Sequence, residues 1–244
     1  MSCRVVVLQS NYLPWLGYFA LIAEADILVV LDSAKYTKND WRNRNQLLGA
    51  NGLFWLTVPV HKDSTSKCIY DATVVESRWV HKHLVSLQES LSGLQFADEV
   101  LNALRFDYNK FIGQRSLHSI NLRLISTLCE LMSIRTTIIL DYQVATSDLL
   151  AFGANPTLRL VEICKTLGAS SYLTGPSALR YLELAQFTRA GIKVEIADYS
   201  LLPTYKQKYD GFTPNVSVVD FLAAVGTSTA QRFLTTTDFL VTKR

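Results

Sequence analysis

The stretch RVVVLQSNYLPWLGYFALIAEADILVVLD, residues 4–32, reads as strand, loop, helix and strand. Arg4 to Gln9 is a short β-branched apolar run bounded by polar residues, the pattern of a strand covered on both faces. Leu16 to Ala25 carries Phe19, Leu21, Ile22 and Ala25 at helical spacing. Ile27 to Leu31 is a second apolar run and stops at Asp32. The result is a β-α-β unit, whose crossover is expected to be right-handed. Polar residues begin at Gln9 after the first strand and at Asp32 after the second. Ligands of open α/β sheets sit outside the carboxyl ends of the strands.

Further along, a polar stretch from Ser33 to Asn45 precedes a strand expected over Leu53 to Val60, then a polar loop from His61 to Lys67. Ile69 to Val75 reads as extended. Residues 79–92, about 97–112 and 116–132 read as helices, and Thr136 to Leu140 returns to strand. Asn155-Pro156 opens a helix, with Asn as cap and Pro at the first helical position; Gly168 closes it. Ser171 to Thr174 is a strand, Gly175-Pro176-Ser177 a turn into a helix reaching about Ala190, and Ile192 to Ile196 a last strand ending at Asp198-Tyr199. The expected architecture is a Rossmann-like three-layer α/β core with a mostly parallel sheet. It carries a helical insertion over about 79–132, and residues 1–244 form one domain.

Composition narrows the function. The chain has 244 residues, is 49% hydrophobic and 18% charged, and carries a net charge of +3. That excludes disorder and shows no basic run of the kind that marks a nucleic-acid binder. Cys3, Cys68, Cys129 and Cys164 are scattered without a CxxC pair, as expected of free thiols in a reducing compartment. MSCRVVVLQS turns polar too soon for a secretory signal, and no apolar run reaches the ~20 residues of a spanning helix. A cytoplasmic location is expected.

Four loops carry chemistry. Gln9 to Gly17 holds Gln9, Asn11, Tyr12 and Trp15, either aromatics capping the core or a ligand floor on which a ring stacks. Lys35 to Asn45 interleaves Lys35, Arg42, Asn43 and Arg44 with aromatics and amides; arginine suits bidentate binding of phosphate or carboxylate. His81 and His83 open a helix, where residues two apart do not face each other, so no metal site is expected. His83 alone has the chemistry of a general base. Thr174-Gly175-Pro176-Ser177 leads to Arg180 and Tyr181 at a strand's carboxyl end, a position that suits an anion. GxGxxG, GxxxxGK[ST] and GxSxG signatures are absent.

These residues resemble the WbqC-like protein family. The resemblance lies in Gln9, Asn11 to Trp15, Gly17 to Phe19, Asp32, Trp41 to Asn45 and Leu56 to Val60. It continues in His83-Leu84, Arg159-Leu160, Tyr172 to Gly175, Tyr181-Leu182, Pro203-x-Tyr205-x-Gln207 and Ser217-x-x-Asp220. Ser10 stands where the family usually carries proline, which implies a less rigid loop. The resemblance implies a place in surface-polysaccharide and O-antigen biosynthesis and the addition of an acyl or aminoacyl group to an amino sugar. It adds Tyr205 and Gln207 to the substrate-binding candidates Gln9, Asn11, Tyr12, Trp15, Lys35, Arg42, Asn43, Arg44, Gly175, Ser177, Arg180 and Tyr181.

His83 and Asp32 are the expected proton acceptors. The expected partner is a small molecule, a nucleotide-linked or carrier-linked sugar, with a carrier protein as a conceivable acyl donor; no cofactor is specified. Two other readings use the same loops. One is an adenylating or nucleotidylyl-transferring enzyme, with Lys35 and Arg42 on phosphates and Asp32 on Mg²⁺. The other is a non-catalytic scaffold in polysaccharide assembly.

Overall fold

The computed structural model describes residues 3–75, 78–151 and 153–243. Its centre is a sheet built from β1 (Arg4–Leu8), β2 (Ile27–Val30), β5 (Thr137–Leu140), β6 (Ser171–Thr174), β7 (Lys193–Ala197) and β8 (Leu240–Lys243). A separate hairpin pairs β3 (Arg44–Gly49) with β4 (Gly52–Thr57). The helices are α1 (Leu16–Ala23), α2 (Trp79–Leu91), α3 (Ala97–Lys110), α4 (Leu117–Leu131) and α5 (Ser147–Leu150), followed by α6 (Pro156–Thr166), α7 (Leu184–Arg189), α8 (Val218–Val225) and α9 (Thr227–Thr236).

The sheet order is β5-β2-β1-β6-β7-β8, parallel throughout except for β8, which pairs antiparallel with β7 at the edge. The chain builds outward from β1 to β2 and β5, then crosses back to lay β6 on the other side of β1. That reversal makes the β1/β6 boundary the topological switch point, where open α/β sheets form their ligand crevice.

Alternation along the strands makes three layers. Val6, Leu28, Val30 and Leu173 enter one apolar cluster with α1, α2, α3, α4 and α8. Val5, Val7, Val29, Tyr172 and Val194 point the other way, into a cluster with α6 and Phe187 of α7. Each such side chain contributes about 1.5–3 kcal/mol by leaving water. This two-sided burial is why β1, after Arg4, and β2 are uninterrupted apolar runs.

The helical insertion forms as expected. Ser116 caps α4 by accepting from the Ser119 amide, and Asn155 caps α6 by accepting from Thr157 and Leu158. Three expectations are corrected. The strand expected at 53–60 belongs to the hairpin, because its partner is the polar segment starting at Arg44. Residues 69–75 make only isolated bridges, Val74 with Val60 and Thr73 with Ser116. The helix expected after Gly175 is a short 3₁₀ turn, Pro176–Arg180, separated from α7. Among the described residues, no helix is long and apolar enough to cross a membrane.

Candidate functional site

The loop after β1 is held from both sides. Ser10, fully buried, donates its amide to one Asp32 oxygen at 2.8 Å and its hydroxyl to the other at 2.7 Å. Asn45 donates to the carbonyls of Tyr12 (3.3 Å) and Leu13 (2.7 Å). This brace holds Leu13 at φ 42°, a left-handed conformation that costs a branched residue energy. The Ser10 amide is one of the two Ser10 donors to Asp32, a contact that a proline at this position could not make.

A crevice of about 560 Å³ opens at the switch point. Its walls include Gln9 and Asn11 after β1, Arg42 from the loop before β3, Arg159 on α6, and Thr174, Gly175, Ser177 and Tyr181 after β6. Tyr18, Tyr172 and Tyr199 line it together with apolar side chains such as Val7, Leu31 and Leu160, and among the described residues no aspartate or glutamate does. Arg42 Nη1 donates to Asn11 Oδ1 at 2.6 Å, and Nη2 lies 3.6 Å from Asp40. Its Nε is buried without a partner among the described residues, and burial lowers the guanidinium pKa. An orphaned donor of this kind in a crevice wall is what a ligand or ordered water completes. Arg159 is anchored through Nε and Nη2 to the carbonyls of Leu149 and Ala151. Gly175 is glycine because a Cβ there would lie 2.8 Å from the Tyr199 hydroxyl.

Next to it lies a groove of about 480 Å³, sharing Asn11 with the crevice and lined by Pro14, Trp15, Trp41, Asn45, Gln46, Trp55 and Asn215. Trp41 and Trp55 are 40% and 42% exposed, with ring centroids 5.4 Å apart. Arg44 lies 4.0 Å over the Trp55 ring and braces it. Trp15 packs edge-on against Tyr199.

Of the residues expected from the sequence, Gln9, Asn11, Arg42, Gly175, Ser177 and Tyr181 therefore meet in the crevice, and Trp15 lines the neighbouring groove. The others lie elsewhere. Lys35 and Arg180 are exposed and outside the crevice lining. Asn43 is buried and donates to Val58 O. Tyr205 and Gln207 both bond to the buried carboxylate of Asp220, Gln207 also tying down Thr213.

Tyr12 is fully buried and offers no stacking face. Its hydroxyl lies 2.8 Å from His83 Nδ1, and His83 Nε2 lies 3.1 Å from the Thr57 carbonyl. A carbonyl only accepts, so Nε2 carries the proton, Nδ1 accepts from Tyr12, and Tyr12 in turn accepts from Tyr108. Both nitrogens of His83 are thus engaged, and burial lowers its pKa to about 4. The geometry gives it a structural place rather than one facing a ligand.

Asp32 has no exposed surface and is fully engaged: besides Ser10 it contacts His118 Nδ1 at 2.6 Å. His118 had no sequence signal linking it to Asp32, 86 residues away. Arg159 had one: it stands one turn into the helix that Asn155-Pro156 announces. All four cysteines are free thiols, and no group of three or more metal-ligating side chains is assembled among the described residues.

Residues 9–232 match the profile of the WbqC-like protein family. The chain is similar to Uncharacterized protein Rv1507c of Mycobacterium tuberculosis (strain ATCC 25618 / H37Rv), 34% identical over 224 residues, which cover 91% of this chain and 94% of the relative. No solved structure matches it. The chain belongs to the WbqC-like protein family.

Proposed function

We propose that this WbqC-like protein is a sugar-modifying transferase of surface-polysaccharide biosynthesis that moves an acyl or aminoacyl group onto an amino sugar. One observation carries the reading. The switch-point crevice joins two arginines to four tyrosines, and among the described residues no carboxylate lines it. Such a lining suits a ligand with an anionic group and a ring, as in a nucleotide-linked sugar. Its volume lies within the ordinary range of small-molecule sites, about 300–1,000 Å³.

In this reading Arg42 and Arg159 hold the diphosphate, while Tyr181 and Tyr199 border the ring. The sugar extends past Asn11 to the Trp41–Trp55 groove, where indole faces suit pyranose C–H groups and the side chains of Gln46 and Asn215 suit hydroxyls. The sugar amine attacks the carbonyl carbon of an activated acyl donor. A C–N bond forms, the bond from carbonyl carbon to leaving group breaks, and the amine proton leaves with the departing group. A metal-nucleotide enzyme of the nucleotidylyl-transferring kind needs carboxylates directed at the phosphates; among the described residues none lines the crevice, and Asp40 beside it is paired with Arg42. The scaffold reading leaves the crevice lined by Arg42, Arg159 and tyrosines without a role.

The test is to incubate the protein with UDP-glucosamine and a panel of acyl and aminoacyl thioesters, and to weigh the sugar product by mass spectrometry. The reading predicts an N-acylated product, lost in Tyr181→Ala, whose exposed side chain has little part in stability. No product from any donor would remove the transferase reading.

A further inference from the structure

We propose that His118 is the proton acceptor of this site, held in its working tautomer by Asp32. Asp32 receives three hydrogen bonds: from the Ser10 amide, the Ser10 hydroxyl and His118 Nδ1. Two acceptor oxygens with two fixed Ser10 donors describe a carboxylate, so the third contact requires a proton on Nδ1. A neutral imidazole with Nδ1 protonated has its lone pair on Nε2. Among the described residues, Nε2 has no hydrogen-bond partner, and the side chain keeps 12% of its surface exposed. The ring is fixed sideways by Tyr70, 4.4 Å away between centroids; the Tyr70 hydroxyl donates to the fully buried Asp141 at 2.8 Å. A fixed base with an orienting carboxylate on its far nitrogen is the general arrangement for proton transfer.

Position agrees with chemistry. His118 sits in the first turn of α4 against Asp32, which follows β2, and against Tyr70, whose hydroxyl reaches Asp141 at the end of β5. One turn further, Asn121 donates to the Arg42 carbonyl at 2.8 Å and to Ser10 Oγ at 3.2 Å. Arg42 lines the crevice, as do Gln9 and Asn11 on either side of Ser10. His118 stands behind the lining of the crevice and the groove, and the dyad shares its supports with the crevice wall through Asn121 and Ser10. His83, by contrast, has both nitrogens occupied.

The source of the proton rests on the transferase reading. As the sugar nitrogen bonds to the acyl carbon, its proton passes to Nε2. Asp32 stabilises the imidazolium, which returns the proton to the leaving group as the carbon–leaving-group bond breaks, so His118 ends unchanged.

His118→Asn is the informative variant, because its amide N–H still reaches toward Asp32 but carries no base. The expected result is transfer slowed by about 100-fold or more, with the unfolding midpoint and UDP-glucosamine affinity unchanged. Transfer at the wild-type rate would overturn the assignment. Should the wild type transfer nothing, the transferase reading falls by itself. Histidine ¹⁵N NMR then decides His118: an Nδ1–H tautomer whose Nε2 line shifts with bound UDP-glucosamine supports it, and an Nε2–H tautomer overturns it.

Discussion

Ser10 and Asp32 meet twice, amide to one carboxylate oxygen and hydroxyl to the other, in a place with no exposed surface. Hydrogen bonds to a charged group contribute more than neutral ones, about 1.5–3 kcal/mol. Ser10→Ala should therefore lose roughly 1.5–3 kcal/mol in urea unfolding. Ser10→Pro, which removes the amide donor as well, should lose more than Ser10→Ala. Equal stability of Ser10→Ala and wild type would show that the hydroxyl contact adds nothing.

His83 gives a pH signature. Its folded pKa, pushed down to about 4 by burial, lies below the ordinary 6.5. Between those values the unfolded chain takes a proton that the folded one refuses. Stability from this group is complete above about pH 6.5 and falls as pH drops toward about 4, by about 3 kcal/mol in all. Unfolding midpoints measured from pH 7.5 to 4 should show the decline, and His83→Gln should flatten part of it. A His83→Gln profile parallel to wild type throughout would contradict this.

Gly17 lies directly under the Trp15 indole. An added Cβ would be 2.4 Å from the ring, closer than any real contact, so Gly17→Ala must displace Trp15. The expected cost is about 1–3 kcal/mol, together with a changed near-ultraviolet circular dichroism spectrum from the Trp15–Tyr199 contact. An unchanged spectrum would mean that the indole does not rest on Gly17.

The architecture was legible wherever burial is two-sided. Val5 to Leu8 of β1 and all of β2 are uninterrupted apolar runs because both faces of the sheet are covered, and Asn155-Pro156 announces α6 by capping chemistry alone. The hairpin strand β3 was hidden because its buried positions include Asn45, whose amide serves the neighbouring loop carbonyls instead of showing an apolar alternation. The polar residues at the strand ends pointed to the crevice through Gln9, Asn11 and Gly175. His118 was invisible because its partner lies far off in sequence, and Tyr12 and His83 misled because a polar aromatic pair satisfied within a core looks, in sequence, like one waiting for a ligand.

The Trp41–Trp55 groove makes a separate prediction. Trp55→Ala should weaken binding of UDP-glucosamine by about 2- to 10-fold, the range of one aromatic contact of about 0.5–1.5 kcal/mol, and leave binding of UDP unchanged. Fluorescence titration of both ligands measures it. An equal loss for UDP and UDP-glucosamine would place the sugar elsewhere.

The measurement that bears most directly on the crevice is calorimetric titration of UDP-glucosamine into the wild type, Arg42→Ala and Arg159→Ala, with circular dichroism to show that each variant is folded. The account predicts saturable binding by the wild type that weakens with added salt and falls at least about 10-fold in each folded variant, since charge-assisted contacts to a phosphate are the strong ones. Binding of undiminished affinity in both folded variants would contradict the assignment of the crevice to an anionic sugar ligand.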